Sequence, residues 1–598
     1  MSRRVRLLVC VAGLLLALLV APGSALAGKK PQPADLVIKN AVVYTVDADW
    51  DTAQAVAVRD GRIVLVGSNK AATRHIGPGT QVVNARGNTV LPAFADAHAH
   101  AGMTVTSLYA VSLWFLPSVD DYLAAVAEFA AARPELEWIR GEGWSNTVVP
   151  GIGPLASDLD RVVSDRPVAI TSEDYHSLWV NSKALEIAGI DGFTPDPVGG
   201  KIERLPGSVD PDTAPYGVPS GTLRESASDM VQELIPDYTV DQYKDGILAY
   251  QDWIAGPYGI TLVFDPLLRL GGHGLQAYEE LAREGLLTMR VRGALALEPE
   301  DDVAAMLDAF AAERALHTTP YFKTPAVKIF ADGVIEGHTG YLKEPYADAE
   351  EYAGDPSYRG EPLWEPAALA EAFRLTDEAG FQIHVHSIGD AATSEVLDAF
   401  AAARAANGAR DWRPGVTHLQ LVSPDDIAGF ADLGVTAVPQ PYWFLKDDYY
   451  TYLQVPYLGL PRADEEYPMK SFFDAGVHVA SASDFPVTWP PDPLDAIQTG
   501  VMRWFPDWVW EYPPPPSLEG VLWPEERVTA EQMIRSFTIE GAYANFLETE
   551  TGSLEVGKSA DIIIVNRDIT TCDPAKIGRS KVLLTLFEGR TVFSTDGY

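Results

Sequence analysis

Asn88–His100 reads NTVLPAFADAHAH. Val90 and Leu91 begin a short apolar strand, Pro92 marks its beginning or an edge, and Asp96, His98 and His100 follow. Alternate residues of a strand face the same side, so His98 and His100 can present two imidazoles to one ion. A buried strand ordinarily spends such positions on aliphatic side chains. Two polar residues in a surface loop would explain an isolated HxH equally well. What favours a metal site is the rest of the chain, which supplies further ligand-type residues at the ends of apolar segments.

The chain has 598 residues, 47% of them hydrophobic and 21% charged. That length alone suggests about four domains, although a barrel can be a much larger single unit. Its 45 Lys plus Arg stand against 83 Asp plus Glu, a net charge of -38. An acidic surface repels phosphate backbones, which argues against nucleic acid as a partner and favours a neutral or cationic small molecule over an anionic one. Arg3, Arg4 and Arg6 precede the apolar run Leu7–Ala21, Pro22 and Gly23 break it, and Ala25-Leu26-Ala27 has the small-x-small pattern of a signal peptidase site. Residues 1–27 are therefore expected to be a cleaved signal peptide, giving an exported, periplasmic or extracellular protein. The run is too short to favour a membrane span, although an uncleaved anchor is the alternative. Cleavage removes Cys10 and leaves Cys572 alone, so no intramolecular disulfide is expected.

Residues 35–90 read as short strands with turns at Arg59-Asp60-Gly61 and Gly77-Pro78-Gly79, and 552–598 supply a matching set around ADIIIVNRD and KVLLTLFEGRTVFS. Neither end makes a good sheet core alone. Together they make one small discontinuous β-sandwich with the central domain inserted between them. From 91 to 551, helix candidates at 120–132, 241–255, 299–315 and 365–379 alternate with the strand-like pieces RPVAITS, GITLVFD, TMRVRGAL, AVKIFAD, FQIHVHS, GVTHLQL, GVTAVPQ and GVHVASAS. That alternation predicts βα units around a largely parallel sheet, a (β/α)8 TIM-like barrel whose chemistry sits at the C-terminal strand ends. Residues 104–240 are too long for an ordinary βα loop and read as an excursion or cap beside the active face. Residues 440–525 are irregular and aromatic, with Trp443, Trp489, Trp504, Trp508, Trp510, Trp523 and the run Pro513–Pro516. These rings suit a core, the interface of a homo-oligomer, or an apolar substrate cleft.

Lys328 lies in the apolar segment AVKIFAD. A buried ammonium is costly unless paired. Addition of carbon dioxide would turn it into a carbamate able to bridge two metals, whereas snorkelling or pairing with Asp332 is the plainer role. His384 and His386 share one strand face; His386 is nearer the strand end and is the ligand candidate, and His384 is either its support or a satisfied core histidine. His418, in GVTHLQL, is a further ligand candidate. Asp484, in GVHVASASDFPV, can bind a metal, accept a proton from attacking water and return it to a leaving nitrogen; capping the next segment is its bland alternative.

LPAFADAHAH, DYHSLWVNSKAL, VKIFADGVIEGHTG, HVHSIGDAA, THLQ, SASDFPV and GSLEVGKSADIIIVNRD together resemble the amidohydrolase superfamily, in particular the branch that includes N-substituted formamide deformylases. The resemblance spans nearly all of 35–598 and implies a metal-dependent barrel with a discontinuous β-sandwich. It implies that His98 and His100 are the first metal ligands, that Lys328 is a bridging lysine open to N6-carboxylation, and that His386 and His418 serve a second metal. It also implies that Asp484 is the metal-bound acid–base aspartate. His176, in DYHSLWVN, matches a position suited to contacting substrate or the oxyanion, with fixing of the excursion as the other reading. Ala93 and Ala95 replace the usual glycine and isoleucine, and THLQ replaces the commoner histidine–alanine ending. One or two Zn2+ ions and hydrolysis of an amide-like C–N bond are expected. The same site acting on an ester, lactone or carbamate is one alternative, and an exported non-catalytic binding protein is another.

Overall fold

The computed structural model describes residues 31–317, 319–504, 506 and 520–598. The expected signal segment 1–27 with Cys10, and Trp508, Trp510 and Pro513–Pro516 of the aromatic stretch, lie outside these residues. Among the described residues, no helix is long and apolar enough to cross a membrane.

Seven parallel strands follow one another around the central sheet: Phe94–Asp96, Ile260–Leu268, Arg290–Ala296, Phe322–Phe330, Gln382–Ser387, Gly415–His418 and Thr436–Val438. The extended segment 478–483 occupies the eighth position. On one side Ala437 N donates to His478 O and Ala480 N to Ala437 O, both at 2.9 Å; on the other, Ala97 N donates to Ser481 O at 3.2 Å. The barrel thereby closes, as the alternation of segments predicts. RPVAITS is not one of its strands.

Side chains alternate across this sheet with the strand period of two. Val327, Ile329, Ile383 and Val385 face outward into a core shared with Phe373 and Phe400 of the flanking helices Pro366–Glu378 and Asp390–Asn407. Phe264, Ala294 and Ala326 fill the interior, and Lys328 pairs in register with His384, and Phe330 with His386, along the same walls. The helix expected to run to residue 255 instead ends as regular α-helix at Tyr250, and Gln251–Ala255 forms a wider π turn. Pro257 explains the change, because it lacks the N–H that a continuing α-helix would need and its ring crowds the preceding turn.

Strands from both ends of the chain form one eight-stranded sheet. At its centre Thr89–Pro92 pairs in parallel with Leu36–Tyr44 and antiparallel with Ile562–Val565. Ile562 and Ile564 bury against Ile38, Val56 and Leu586, while Ile563 and Val565 face the barrel core with Leu91. Only Ala93 separates Thr89–Pro92 from the barrel strand Phe94–Asp96. The stretch Asn88–His100 is thus two strands in two sheets rather than one, and Pro92 ends the first of them. His98 and His100 lie beyond the second strand, where the backbone is still held by hydrogen bonds to both neighbours, from Ala99 N to Phe264 O and from His100 N to Phe485 O.

The excursion carries a six-stranded mixed sheet of its own, from Val111–Ser112 to Pro219–Glu225, and this is where RPVAITS lies, as strand Val168–Ser172. Tyr122, Trp144 and Trp179 form much of its core. The turn between Val168–Ser172 and Ser177–Val180 projects His176 toward the barrel mouth, where its ring centroid lies 5.2 Å from that of His386.

A buried ion pair ties the discontinuous sheet to the barrel. Arg290 Nη1 lies 2.6 Å from Asp561 Oδ2, and Arg290 Nη2 donates to Ser559 Oγ and Glu588 Oε1, both at 2.9 Å. Removing one partner of such a pair strands a buried charge. Arg290→Ala is therefore expected to cost about 3–5 kcal/mol in urea unfolding; a variant with wild-type stability would show that this contact does not hold the two units together.

Candidate metal centre

Asp484 begins the turn that follows the eighth barrel segment, with a backbone φ of 57°. Its N–H donates to His98 O at 2.7 Å, and Phe485 O accepts from His100 N at 2.7 Å, so the closing seam sets the carboxylate between the two histidines. Asp484 Oδ1 lies 3.2 Å from both His98 Nε2 and His100 Nε2. The three donor atoms all lie within 4.8 Å of one another. Nitrogen and oxygen ligands ~2.0–2.1 Å from one tetrahedral ion stand about 3.3 Å apart, so this spacing fits a shared metal. His100 Nδ1, on the opposite side of the ring from the Nε2 that faces Asp484, is buried without a hydrogen-bond partner.

The imidazoles of His98, His386 and His418 are oriented from behind. His98 Nδ1 is 2.8 Å from His384 Nε2, which turns its Nε2 to the carboxylate. This assigns His384 the supporting role that sequence left open, and its own ring rests on Phe264. His386 Nε2 donates to Gly333 O at 3.0 Å, leaving Nδ1 free. His418 Nδ1 is 3.2 Å from Gln440 Oε1, while Trp443 stacks on its ring at 5.8 Å between centroids. A hydrogen bond to one ring nitrogen selects the tautomer at the other, the usual device for holding a metal-binding imidazole.

All of the candidate residues converge on one chamber, although only His98, His100 and Asp484 form the compact donor group. His418 Nδ1 is 3.9 Å from Asp484 Oδ2, and the rings of His386 and His418 are 4.5 Å apart. Lys328 is buried on the wall beneath them, its Nζ 4.5 Å from the centre of the Phe330 ring. The alternative pairing of Lys328 with Asp332 is not built. Asp332 instead accepts backbone N–H bonds from Ile388 (2.9 Å), Gly389 (2.8 Å) and Tyr341 (2.9 Å), which anchor the loops after two barrel strands. His176 completes the chamber from the excursion, with Nδ1 2.8 Å from Glu225 Oε2.

The electrostatics follow from burial. Desolvation, reinforced by neighbouring positive groups such as Lys328, holds the imidazoles of His98, His384, His386 and His418 well below their ordinary range, in the neutral form that can bind metal. Burial alone would raise Asp484, but His98 and the hydrogen bonds from His100 and His98 hold its carboxyl well below the usual range. Burial brings the Lys328 ammonium down to about 7. For His176, burial works against the charged form, yet Glu225 pulls the imidazole up to about 9.

The described amidohydrolase family matches this chain over residues 81–593. The chain belongs to the amidohydrolase family. Protein LONG AFTER FAR-RED 3 of Arabidopsis thaliana is 29% identical over 94% of this chain and 92% of its own. N-substituted formamide deformylase of Arthrobacter pascens is 27% identical over 95% of this chain and 99% of its own. A crystal structure of an uncharacterized metal-dependent hydrolase from Pyrococcus furiosus has a TM-score of 0.65 at 25% identity, covering 89% of this chain and 99% of that one. These relatives establish the superfamily without singling out a branch. Family and His/His/Asp centre together make this chain a metal-dependent hydrolase.

The two departures from the family pattern have local causes. Ala95 lies against the segment carrying Gly541, where even a methyl group on the glycine would come within 2.6 Å of the Ala95 side chain, so a small residue is needed there. Gln420 of THLQ is buried and donates to Glu466 Oε1 at 2.7 Å. Gln440 and Glu225 were not legible as site residues, since neither belongs to a ligand motif. The arrangement makes His384 testable: His384→Ala is expected to weaken metal binding roughly 10- to 100-fold in competition with a chelator. Unchanged affinity would remove it from the support of His98.

Proposed function

We propose that the protein hydrolyses the C–N bond of a small non-peptide amide, with N-substituted formamides the first class to examine and zinc the ion. The observation that carries this reading is Asp484, whose Oδ1 faces both metal-site histidines while its Oδ2 faces His418. The full-length similarity to a formamide deformylase supports the choice of amide. The partly buried aromatic rings of Phe330 and Trp443 around the chamber support a neutral or cationic substrate with an apolar part.

His98, His100 and Asp484 would hold one ion, and Lys328 as a carbamate, with His386 and His418, would hold a second. The Lys328 amine favours that modification, because burial leaves a substantial neutral fraction near pH 7, the form that adds carbon dioxide. A bound divalent cation supplies Lewis acidity and lowers the pKa of water toward neutrality. The protein does the rest. Asp484, held as a carboxylate, takes a proton from the attacking water. His176 directs a hydrogen bond from Nε2–H to the carbonyl oxygen as negative charge develops there, and keeps its proton. Asp484 then delivers its proton to the departing nitrogen, so that the amine leaves neutral and the acid is released. The Arg-led apolar segment at the N-terminus supports action outside the cytoplasm.

The test is a panel of N-substituted formamides, longer amides and esters with zinc-loaded protein. Formamide or amide turnover is expected, and Asp484→Asn should lower kcat by about 10²-fold or more in folded protein. Turnover of esters alone, or an Asp484→Asn variant of full activity, would overturn the reading.

A further inference from the structure

Glu225 is the last residue of an excursion strand, and its backbone takes φ 49° and ψ −132°. An L residue rarely occupies that region, whereas glycine enters it freely. A glutamate kept there needs a reason in its side chain. Its Oε2 lies 2.8 Å from His176 Nδ1, its Oε1 accepts from Thr339 Oγ1 at 2.6 Å, and its backbone N–H donates to His176 O at 3.0 Å. We propose that Glu225 is a positioning residue that grips His176 through Nδ1, so that the Nε2 edge faces the reacting carbonyl.

Both ends of the grip are built. On the excursion side, His176 N donates to Asp174 Oδ1 at 3.0 Å, and Asn146 Nδ2 donates to Asp174 Oδ2 at 2.7 Å, so the turn carrying the imidazole is braced independently of its ring. On the barrel side, Thr339 Oγ1 also accepts from Val334 N at 2.9 Å, which fixes the loop that follows the Lys328 strand. Gly333 of that loop leaves the space this contact needs. A Cβ there would fall 2.2 Å from Thr339 Oγ1 and 2.6 Å from Glu225 Oε1. The same Gly333 supplies the carbonyl that orients His386. One carboxylate therefore sets the angle of His176 and ties it to the loop that steers a barrel histidine, joining the excursion to the barrel at the chamber itself. A carboxylate behind an imidazole fixes which nitrogen carries the proton outward, and the second oxygen, bound to threonine, stops the carboxylate from rotating.

This inference rests on the hydrolytic reading for His176 but is tested separately from it. In protein labelled with 15N-histidine, wild type should show a strongly hydrogen-bonded Nδ1–H resonance that His176→Ala removes. Glu225→Gln should shift or abolish it; an unchanged resonance would overturn the proposal whether or not a substrate is known. With an amide from the panel, Glu225→Gln should lower kcat about 10- to 100-fold with KM and metal content near wild type. The double variant His176→Ala/Glu225→Gln should be no slower than His176→Ala alone, and losses that simply multiply would overturn it. Glu225→Gly suits the backbone, so it should keep its thermal midpoint and still lose kcat; full activity in that variant would show that the side chain has no such role. If wild type hydrolyses nothing in the panel, the functional reading fails while the resonance still decides the fate of Glu225.

Discussion

Backbone hydrogen bonds from Asp484 to His98 and from His100 to Phe485, each 2.7 Å long, close the barrel at the point where its first and last segments meet. They join parts of the chain nearly four hundred residues apart, and Ser483 N adds a bond to the buried carboxylate of Asp96. The geometry of the donor group is a consequence of that seam. Two imidazoles and one carboxylate face each other because these backbone bonds fix the register of the two segments that carry them. The discontinuous sheet serves the same closure, since Ala93 alone separates its central strand from the first barrel strand, and Arg290 ties Asp561, at the start of the neighbouring strand, to the barrel.

Concentrating so many polar side chains inside a barrel is costly unless each has a partner. The fold meets that requirement in two ways. Backbone and side-chain acceptors take one nitrogen of His98, His386 and His418, and burial keeps these rings neutral. Asp484 remains the charged member, surrounded by the rings that stabilise its carboxylate. Burial weakens the charge of Lys328, whereas Glu225 sustains that of His176. An ion at the seam would bind the facing Nε2 atoms of His98 and His100 and satisfy the charge of Asp484 together.

Much of this was legible in the sequence. The alternation of apolar segments and helices gave away the barrel, and polar residues at the ends of those segments marked the chamber, because a strand end is where an inward side chain reaches the barrel mouth. Short apolar runs do not reveal which sheet they join, so RPVAITS looked like a barrel strand and Asn88–His100 like one strand instead of two. The supporting residues were harder still. Gln440 and Glu225 gain their roles from partners 22 and 49 residues away, and nothing in their local sequence marks those pairings. His384 was visible as a histidine on the right face, but its choice of partner depends on a strand more than 280 residues earlier.

Anomalous diffraction at the zinc edge, from crystals of zinc-loaded protein grown with bicarbonate, tests the central claim most directly. The account predicts a peak ~2.0–2.2 Å from His98 Nε2, His100 Nε2 and an Asp484 oxygen. A second peak beside His386 and His418, with branched density on Lys328 Nζ, would mark the two-ion form. Crystals loaded with zinc that show no peak among His98, His100 and Asp484 would contradict the account.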